Sequence, residues 1–254
     1  MHLISKFALA GAALAISATA QAERPILIKE ASVMSAGATA LTAGAAYEIG
    51  REATIAGLGT GEYDNIRLSP LGMRYGLGDG MEVGGYVGFN SNSADDAGAP
   101  DEGGLEGITA YVKTALNANV ALELGITLAG SDDVLPYPND GLDFFVNLPM
   151  QRRAGSGLLY GQFGYTVKDE VGGFAGDNYF NYGVGYAFPL QTGTTANVEL
   201  VGDEAPFIQG SYMDLVFGVS TEMAPGTHLS PYASVGLYDN SPDIALGVKF
   251  ETRI

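Results

Sequence analysis

Val120-Ala121-Leu122-Glu123-Leu124-Gly125-Ile126-Thr127-Leu128 puts Val, Leu, Leu, Ile and Leu on one parity and Ala, Glu, Gly and Thr on the other. A period of two is the strand period, because successive side chains of an extended chain point to opposite faces. Leu246, Val248, Phe250, Thr252 and Ile254 repeat the rhythm against Ala245, Gly247, Lys249, Glu251 and Arg253. Each run holds for about nine residues, the length that a tilted strand needs to cross a bilayer.

About twelve such segments follow one another, at 39–49, 63–76, 81–90, 105–116, 120–129, 142–151, 157–167, 178–188, 194–202, 211–222, 227–238 and 243–254. In the second the apolar phase slips from Ile66/Leu68 to Leu71/Met73/Tyr75 around Pro70, which predicts a bulge. Short turns follow the even strands: Gly78-Asp79-Gly80, Asn117-Ala118-Asn119, 152–156, 189–193 and 223–226. Mostly longer connections follow the odd ones: 51–62, 91–104, 130–141, 168–177 and 203–210, with 239–242 as the short exception. Outer-membrane barrels distribute periplasmic turns and extracellular loops in this alternating way. A soluble β-sandwich also alternates apolar and polar residues, yet it gives no reason for long loops at one end only. The expected fold is therefore all-β, a transmembrane antiparallel up-and-down β-barrel of about 12 strands.

Composition narrows the function. The chain has 254 residues, 46% hydrophobic and 16% charged, with 37 Gly, no Cys and a net charge of −17. Such a charge repels nucleic acid phosphates, so no nucleic-acid partner is expected. Without Cys there are no disulfides and no Cys-ligated metal. Mean hydropathy of +0.13 is high for so acidic a chain, as expected if strands show an apolar face to lipid. Residues 1–22 carry a basic start, an apolar stretch from Phe7 to Ile16 and a small-residue end at Ala20-Gln21-Ala22, which predicts a signal peptide. Residues 23–37 read as an N-terminal periplasmic segment, an added strand or a plug in the lumen, and 38–254 as the barrel.

Leu71-Gly-Met-Arg-Tyr-Gly-Leu-Gly-Asp-Gly-Met-Glu-Val-Gly84 and Ala245-Leu-Gly-Val-Lys-Phe-Glu-Thr-Arg-Ile254 resemble the hairpins and closing strand of bacterial outer-membrane β-barrels. The first is also similar to the transporter-like barrels named after the phenol meta-cleavage degradation pathway. The resemblance implies a porin-like barrel in the bacterial outer membrane, assembled by the barrel-insertion machinery, and usually an aromatic last residue; Ile254 departs from that, with Phe250 four residues earlier. The narrower likeness implies an apolar substrate, for which the expected lumen offers mainly Tyr86, Tyr111 and Phe145.

With the apolar parity toward lipid, Tyr75, Tyr165, Phe180, Tyr182, Tyr186, Phe188, Phe217 and Phe250 point outward. The lumen then receives Arg67, Arg74, Glu82, Tyr86, Tyr111, Lys113, Glu123, Asp143, Asn147, Gln162, Asn181, Asn197, Glu199, Asp214, Ser230, Ser234, Lys249 and Glu251. Charges in a low-dielectric wall must pair or be wetted. Twelve strands fall between filled eight-stranded barrels and wide porins, so a narrow hydrated lumen is expected. Arg67, Arg74 and Lys249 on strands two and twelve either oppose the acidic wall across the lumen, setting a transverse field, or form internal salt bridges.

The longer connections are acidic, carrying Asp95, Asp96, Asp101, Glu102, Asp132, Asp133, Asp140, Asp169, Glu170, Asp177, Asp203 and Glu204, with only Arg51 and Lys168 basic. A charged, solvated rim accounts for them, and neither aspartate pair has calcium-loop spacing. The only His outside the first 22 residues is His228, near a turn, and no Gly-x-Ser-x-Gly elbow occurs, so no catalytic residue, cofactor or metal is expected. Gly57-Leu-Gly59-Thr-Gly61 lacks the strand-then-helix setting of a dinucleotide site and reads as a loop. The expected function is passage of small solutes through a narrow polar lumen with cation preference. The alternative is a structural or surface-interaction barrel with an occluded lumen. Outer-membrane lipid is a partner on both readings.

Overall fold

In a computed structural model, residues 24–55, 59–94, 102–130, 141–171, 174–175, 178–204 and 211–254 are described. The predicted signal peptide lies outside them, as do the loop acids Asp95, Asp96, Asp101, Asp132, Asp133, Asp140 and Asp177. Twelve strands close into one antiparallel barrel: β1 (Thr39–Ile55), β2 (Gly59–Gly78), β3 (Met81–Ala94), β4 (Glu102–Asn117), β5 (Val120–Ala129), β6 (Leu142–Ala154), β7 (Gly157–Val167), β10 (Tyr179–Gln191), β11 (Thr194–Glu204), β12 (Tyr212–Ala224), β13 (Thr227–Gly236) and β14 (Ile244–Arg253). Two-residue strands β8 (Glu170–Val171) and β9 (Phe174–Ala175) pair with each other outside the barrel. Around the ring each strand pairs with the next in the chain, β7 pairing with β10 across the small β8–β9 ladder, and β1 meets β14 from Ala40↔Arg253 to Ile49↔Ile244, so the ring leaves no strand edge free. Closure satisfies every ladder group internally, the condition for a sheet to stand in hydrocarbon.

Side-chain alternation fixes the faces. Along β14, Leu246, Val248 and Phe250 are exposed on the outside, while Ala245 and Glu251 are buried within. Leu124 and Leu128 of β5 likewise face outward and Ala121 and Glu123 inward. The outer wall is a continuous apolar surface that water would not tolerate and lipid would. Tyr75, Phe180, Phe217 and Phe250 are exposed on it, and Phe180 packs against Phe163 and Tyr165 with ring centroids 5.4 and 4.8 Å apart. Leu124→Arg would place a cation on that face midway along β5, at a cost of about 2–4 kcal/mol if the site is at bilayer depth. Denaturant unfolding in lipid vesicles reads this; an unchanged midpoint would take β5 out of the lipid.

Turns join the strands at one end, and their geometry explains their residues. Asp79, Gly80, Gly155, Gly193 and Gly226 all have positive φ, between 50° and 76°, as hairpin turns that match strand twist require. At Pro70 the predicted slip is present: pairing jumps from Ala43↔Leu71 to Ala46↔Arg67, and from Leu68↔Phe89 to Leu71↔Val87.

The strands differ from the expected ones at the opposite end, where most run further. β1 and β2 continue through 50–55 and 59–62, so that Gly59 to Gly61, read as loop, opens β2. Arg51 and Asp203, assigned above to connections, stand in β1 and β11. Beyond the lipid both faces of a strand are wetted, the alternation fades, and periodicity alone ends each strand too early.

Candidate functional site

Residues 24–37 run inside the barrel, at the turn end. Having no strand partner, their backbone groups must be satisfied by something else, and inward-facing side chains do this. Glu199 of β11 accepts from the N–H groups of Ile26 (2.5 Å), Leu27 (2.9 Å) and Ile28 (3.3 Å), and from the Tyr160 hydroxyl (2.8 Å). Gln162 Oε1 accepts from Lys29 N at 2.7 Å, and Glu82 from Met34 N at 2.7 Å. Lys249 and Lys113 donate to the carbonyls of Ile26 (3.0 Å) and Glu30 (3.3 Å).

Charges add a second layer. Arg24 is paired with Glu251 and lies 3.9 Å from Glu30. Arg74 reaches Glu251 at 2.8 Å, Glu30 at 3.5 Å and Glu82 at 4.0 Å; Lys113 reaches Glu82 at 2.9 Å. Apolar packing completes the seat, with Ile28 in a buried cluster with Leu158, Tyr160, Ala187, Val201 and Val216. Glycines of the wall leave the necessary space. A Cβ at Gly218 would collide with Ile26 Cδ1, and one at Gly183 would stand 2.8 Å from Ile28 Cγ1. The segment leaves the lumen at Gly37, whose φ of 76° turns the chain into β1 while its N–H donates to Gly76 O at 2.8 Å.

Toward the other end the lumen is open space. Cavities of about 490 and 400 Å³ lie there, sharing Arg67, Glu106, Gln162, Tyr179, Asn181, Asp203 and Tyr212 in their walls. Both have the size of a small-molecule site. Their cations are committed: Arg51 pairs with Glu48 (3.0 Å), Arg67 with Glu48 (3.4 Å) and Glu106, and Lys168 with Asp143 (2.8 Å). Asp203 and Asp214 face the larger cavity from adjacent strands, and Asp214 Oδ1 has no hydrogen-bond partner among the described residues.

The residues expected in the lumen divide between these two zones. Arg74, Glu82, Tyr111, Lys113, Glu199, Lys249 and Glu251 surround the N-terminal segment. Arg67, Asp143, Asn181 and Asp214 line the open zone. Tyr86, Glu123, Asn147 and Gln162 sit where the two meet: Asn147 Nδ2 donates to Glu123 at 3.0 Å, and Gln162 to Asn181 at 3.1 Å. Asn197 accepts from Tyr160 at 3.2 Å, Ser230 bonds Ser220 at 2.9 Å, and Ser234 borders the larger cavity. Arg67, Arg74 and Lys249 do not form a bare basic face, since each is taken up by an acid or by a carbonyl of the segment.

Several residues of the zone escape the sequence reading. Glu48, Asn65, Asn92 and Glu106 face inward from strands whose outer ends carry no clear alternation. Lys168, counted with the rim, turns inward onto Asp143. Arg24, Lys29 and Glu30 could not be placed, because their partners lie far along the chain.

No protein-family model matches the chain, and no curated protein matches it significantly. Solved structures do. An outer-membrane channel of Pseudomonas putida F1 superposes with a TM-score of 0.68 at 12% identity, over 91% of this chain and all of that one. The translocator domain of the autotransporter NalP from Neisseria meningitidis gives 0.58 at 12% identity, over 87% and 90%. The deltaS2S3 mutant of the TodX monoaromatic hydrocarbon channel gives 0.53 at 8% identity, over 86% and 91%. None of these likenesses bears on the narrower resemblance to the phenol meta-cleavage barrels. Together with the closed ring and its apolar outer wall, they establish that the chain has the twelve-stranded fold of bacterial outer-membrane barrels.

Proposed function

We propose that the protein stands in the bacterial outer membrane as a pore or transporter for small solutes, which enter from the loop end and are stopped at the turn end by residues 24–37 acting as a plug. The observation that carries this is the nature of the plug's attachment. It joins the barrel through Gly37 and, among the described residues, is otherwise held by side chains, while the space beyond it is roomy and polar. Such a segment can leave without breaking a strand ladder, whereas a lumen filled by its own wall residues could not open. The neighbours named above as channels support a channel role. Lipid, the barrel-insertion machinery and the solute are the partners this reading needs, and it assigns no catalysis.

Purified protein in a planar bilayer should show stepwise conductance in which a low level dominates. A silent bilayer containing folded protein would contradict the reading. Cation preference is supported by the walls of the two open cavities, where the acids Glu48, Glu106, Asp143, Asp203 and Asp214 outnumber the bases Lys29, Arg51, Arg67 and Lys168. Excess fixed negative charge concentrates cations in a narrow lumen. Under a potassium chloride gradient the reversal potential should take the sign of cation flow; the opposite sign would refute the preference. The second reading, a permanently occluded barrel with a surface role, is favoured by the number of ion pairs on the plug, and predicts that the full chain stays at baseline conductance and that steps appear only after the plug is removed.

A further inference from the structure

Lys29 sits differently from Arg24, the other cation of the plug. Its ammonium lies 5.0 Å from the ring centre of Tyr86, 5.3 Å from that of Tyr111 and 3.4 Å from Glu123 Oε1. Two aromatic faces and a carboxylate around one ammonium form the arrangement by which proteins recognise alkylammonium groups, because ring quadrupoles and the anion act together at short range. The cage belongs wholly to the wall, on β3, β4 and β5, and strand pairing fixes it: Gly84↔Tyr111 and Lys113↔Glu123 are in direct register, and Glu123 is held by Asn147 of β6. The cation belongs to a segment outside the sheet.

Two further facts bear on what else the cage can take. Glu123 is 1% exposed, and Lys29 is the one cation paired with it among the described residues. If Lys29 left, a buried carboxylate would stand without a counter-charge, which is costly until another cation replaces it. Lys29 also lines both the inner cavity of about 250 Å³ and the 400 Å³ cavity of the loop end, so the cage is approached from the side where a solute arrives.

We propose that Tyr86, Tyr111 and Glu123 form a binding site for the primary ammonium group of a small organic cation, and that Lys29 occupies it as a tethered substitute when no such ligand is bound. The cage holds one ammonium at a time, so ligand and docked Lys29 exclude each other. A ligand shifts the plug toward release by the difference between its affinities for the two states. The site itself rests on the wall geometry; only its service to transport rests on the pore reading given above.

n-Butylammonium is the probe, with n-butanol as the uncharged control. In calorimetry on folded protein in detergent, Lys29→Ala and the better-packed Lys29→Met should bind n-butylammonium saturably and about tenfold or more tighter than the unsubstituted protein. Adding Glu123→Gln to either should remove that gain, and n-butanol should not bind. Folded variants that bind no tighter than the unsubstituted protein, or binding indifferent to Glu123→Gln, would overturn the proposal. A second measurement keeps Lys29 in place. The chain has no Cys, so Ile28→Cys, at a position 2% exposed, gives a single thiol. n-Butylammonium, and not n-butanol, should speed its reaction with methyl methanethiosulfonate; equal rates would count against the proposal even if no Lys29 variant folds. Binding in a protein that never conducts would sustain the site and remove the pore reading, and conductance without binding would do the reverse.

Discussion

Deleting residues 24–34 is expected to raise the single-channel conductance several-fold and to lengthen open dwell times. The deletion takes out Ile26, Ile28, Ala31 and Met34, each 5% exposed or less, and empties the turn-end half of the lumen. It spares Gly37 and the bonds at Gly76 that start β1. Closure does not depend on the plug, since β1 and β14 pair over ten consecutive positions without it. The acids left behind keep cationic neighbours on the wall: Lys113 and Arg74 for Glu82, and Arg74 for Glu251. Water entering the emptied half solvates the rest. A barrel that shows its heat-dependent shift in gel mobility, and is therefore folded, but conducts no better than the full chain would assign occlusion to something other than residues 24–34.

Glu199→Ala should give the second largest change with a single side chain. Its carboxylate holds three consecutive backbone N–H groups of the plug, at Ile26, Leu27 and Ile28, and is 1% exposed. Hydrogen bonds to a charged acceptor contribute about 1.5–3 kcal/mol each, and leaving buried donors unmet adds a penalty. Allowing for non-additivity, a loss of about 3 kcal/mol is expected, roughly a hundredfold shift toward the undocked plug. Bilayer recordings should show open probability rising sharply while the unitary conductance of the open state equals that of the deletion. Tyr160→Phe removes only the hydroxyl donated to Glu199 at 2.8 Å and should shift the same equilibrium far less. Equal effects of the two substitutions would mean that Glu199 supports the wall and not the plug.

How much of this was legible in the sequence follows from where the physics is periodic. Lipid outside and water within force every second residue of a spanning strand to be apolar, so β5 and β14 announce themselves, and the inward set from Arg67 to Glu251 follows from parity alone. The bulge at Pro70 was readable because a slipped phase leaves a trace in the same rhythm. Above the lipid that constraint lapses. Arg51, Lys168 and Asp203 therefore read as loop acids and bases, although their side chains border the open zone. The segment 24–37 carries no rhythm at all, because its backbone is satisfied by Glu199, Gln162 and Glu82 and not by a ladder. Tyr86, Tyr111 and Glu123 could each be assigned to the lumen, but not to one cage, and nothing local ties Lys29 to them.

A reversible lock between plug and wall tests the arrangement most directly. Gly218 faces Ile26 so closely that a Cβ there would overlap Ile26 Cδ1, which makes these two positions the pair to cross-link. In a Glu199→Ala background, Ile26→Cys with Gly218→Cys should cross-link under mild oxidation and hold conductance at its floor, and reductant should restore the open level within the same recording. Failure to cross-link, or a cross-linked barrel that conducts as freely as the reduced one, would contradict a plug seated in the lumen and movable from it.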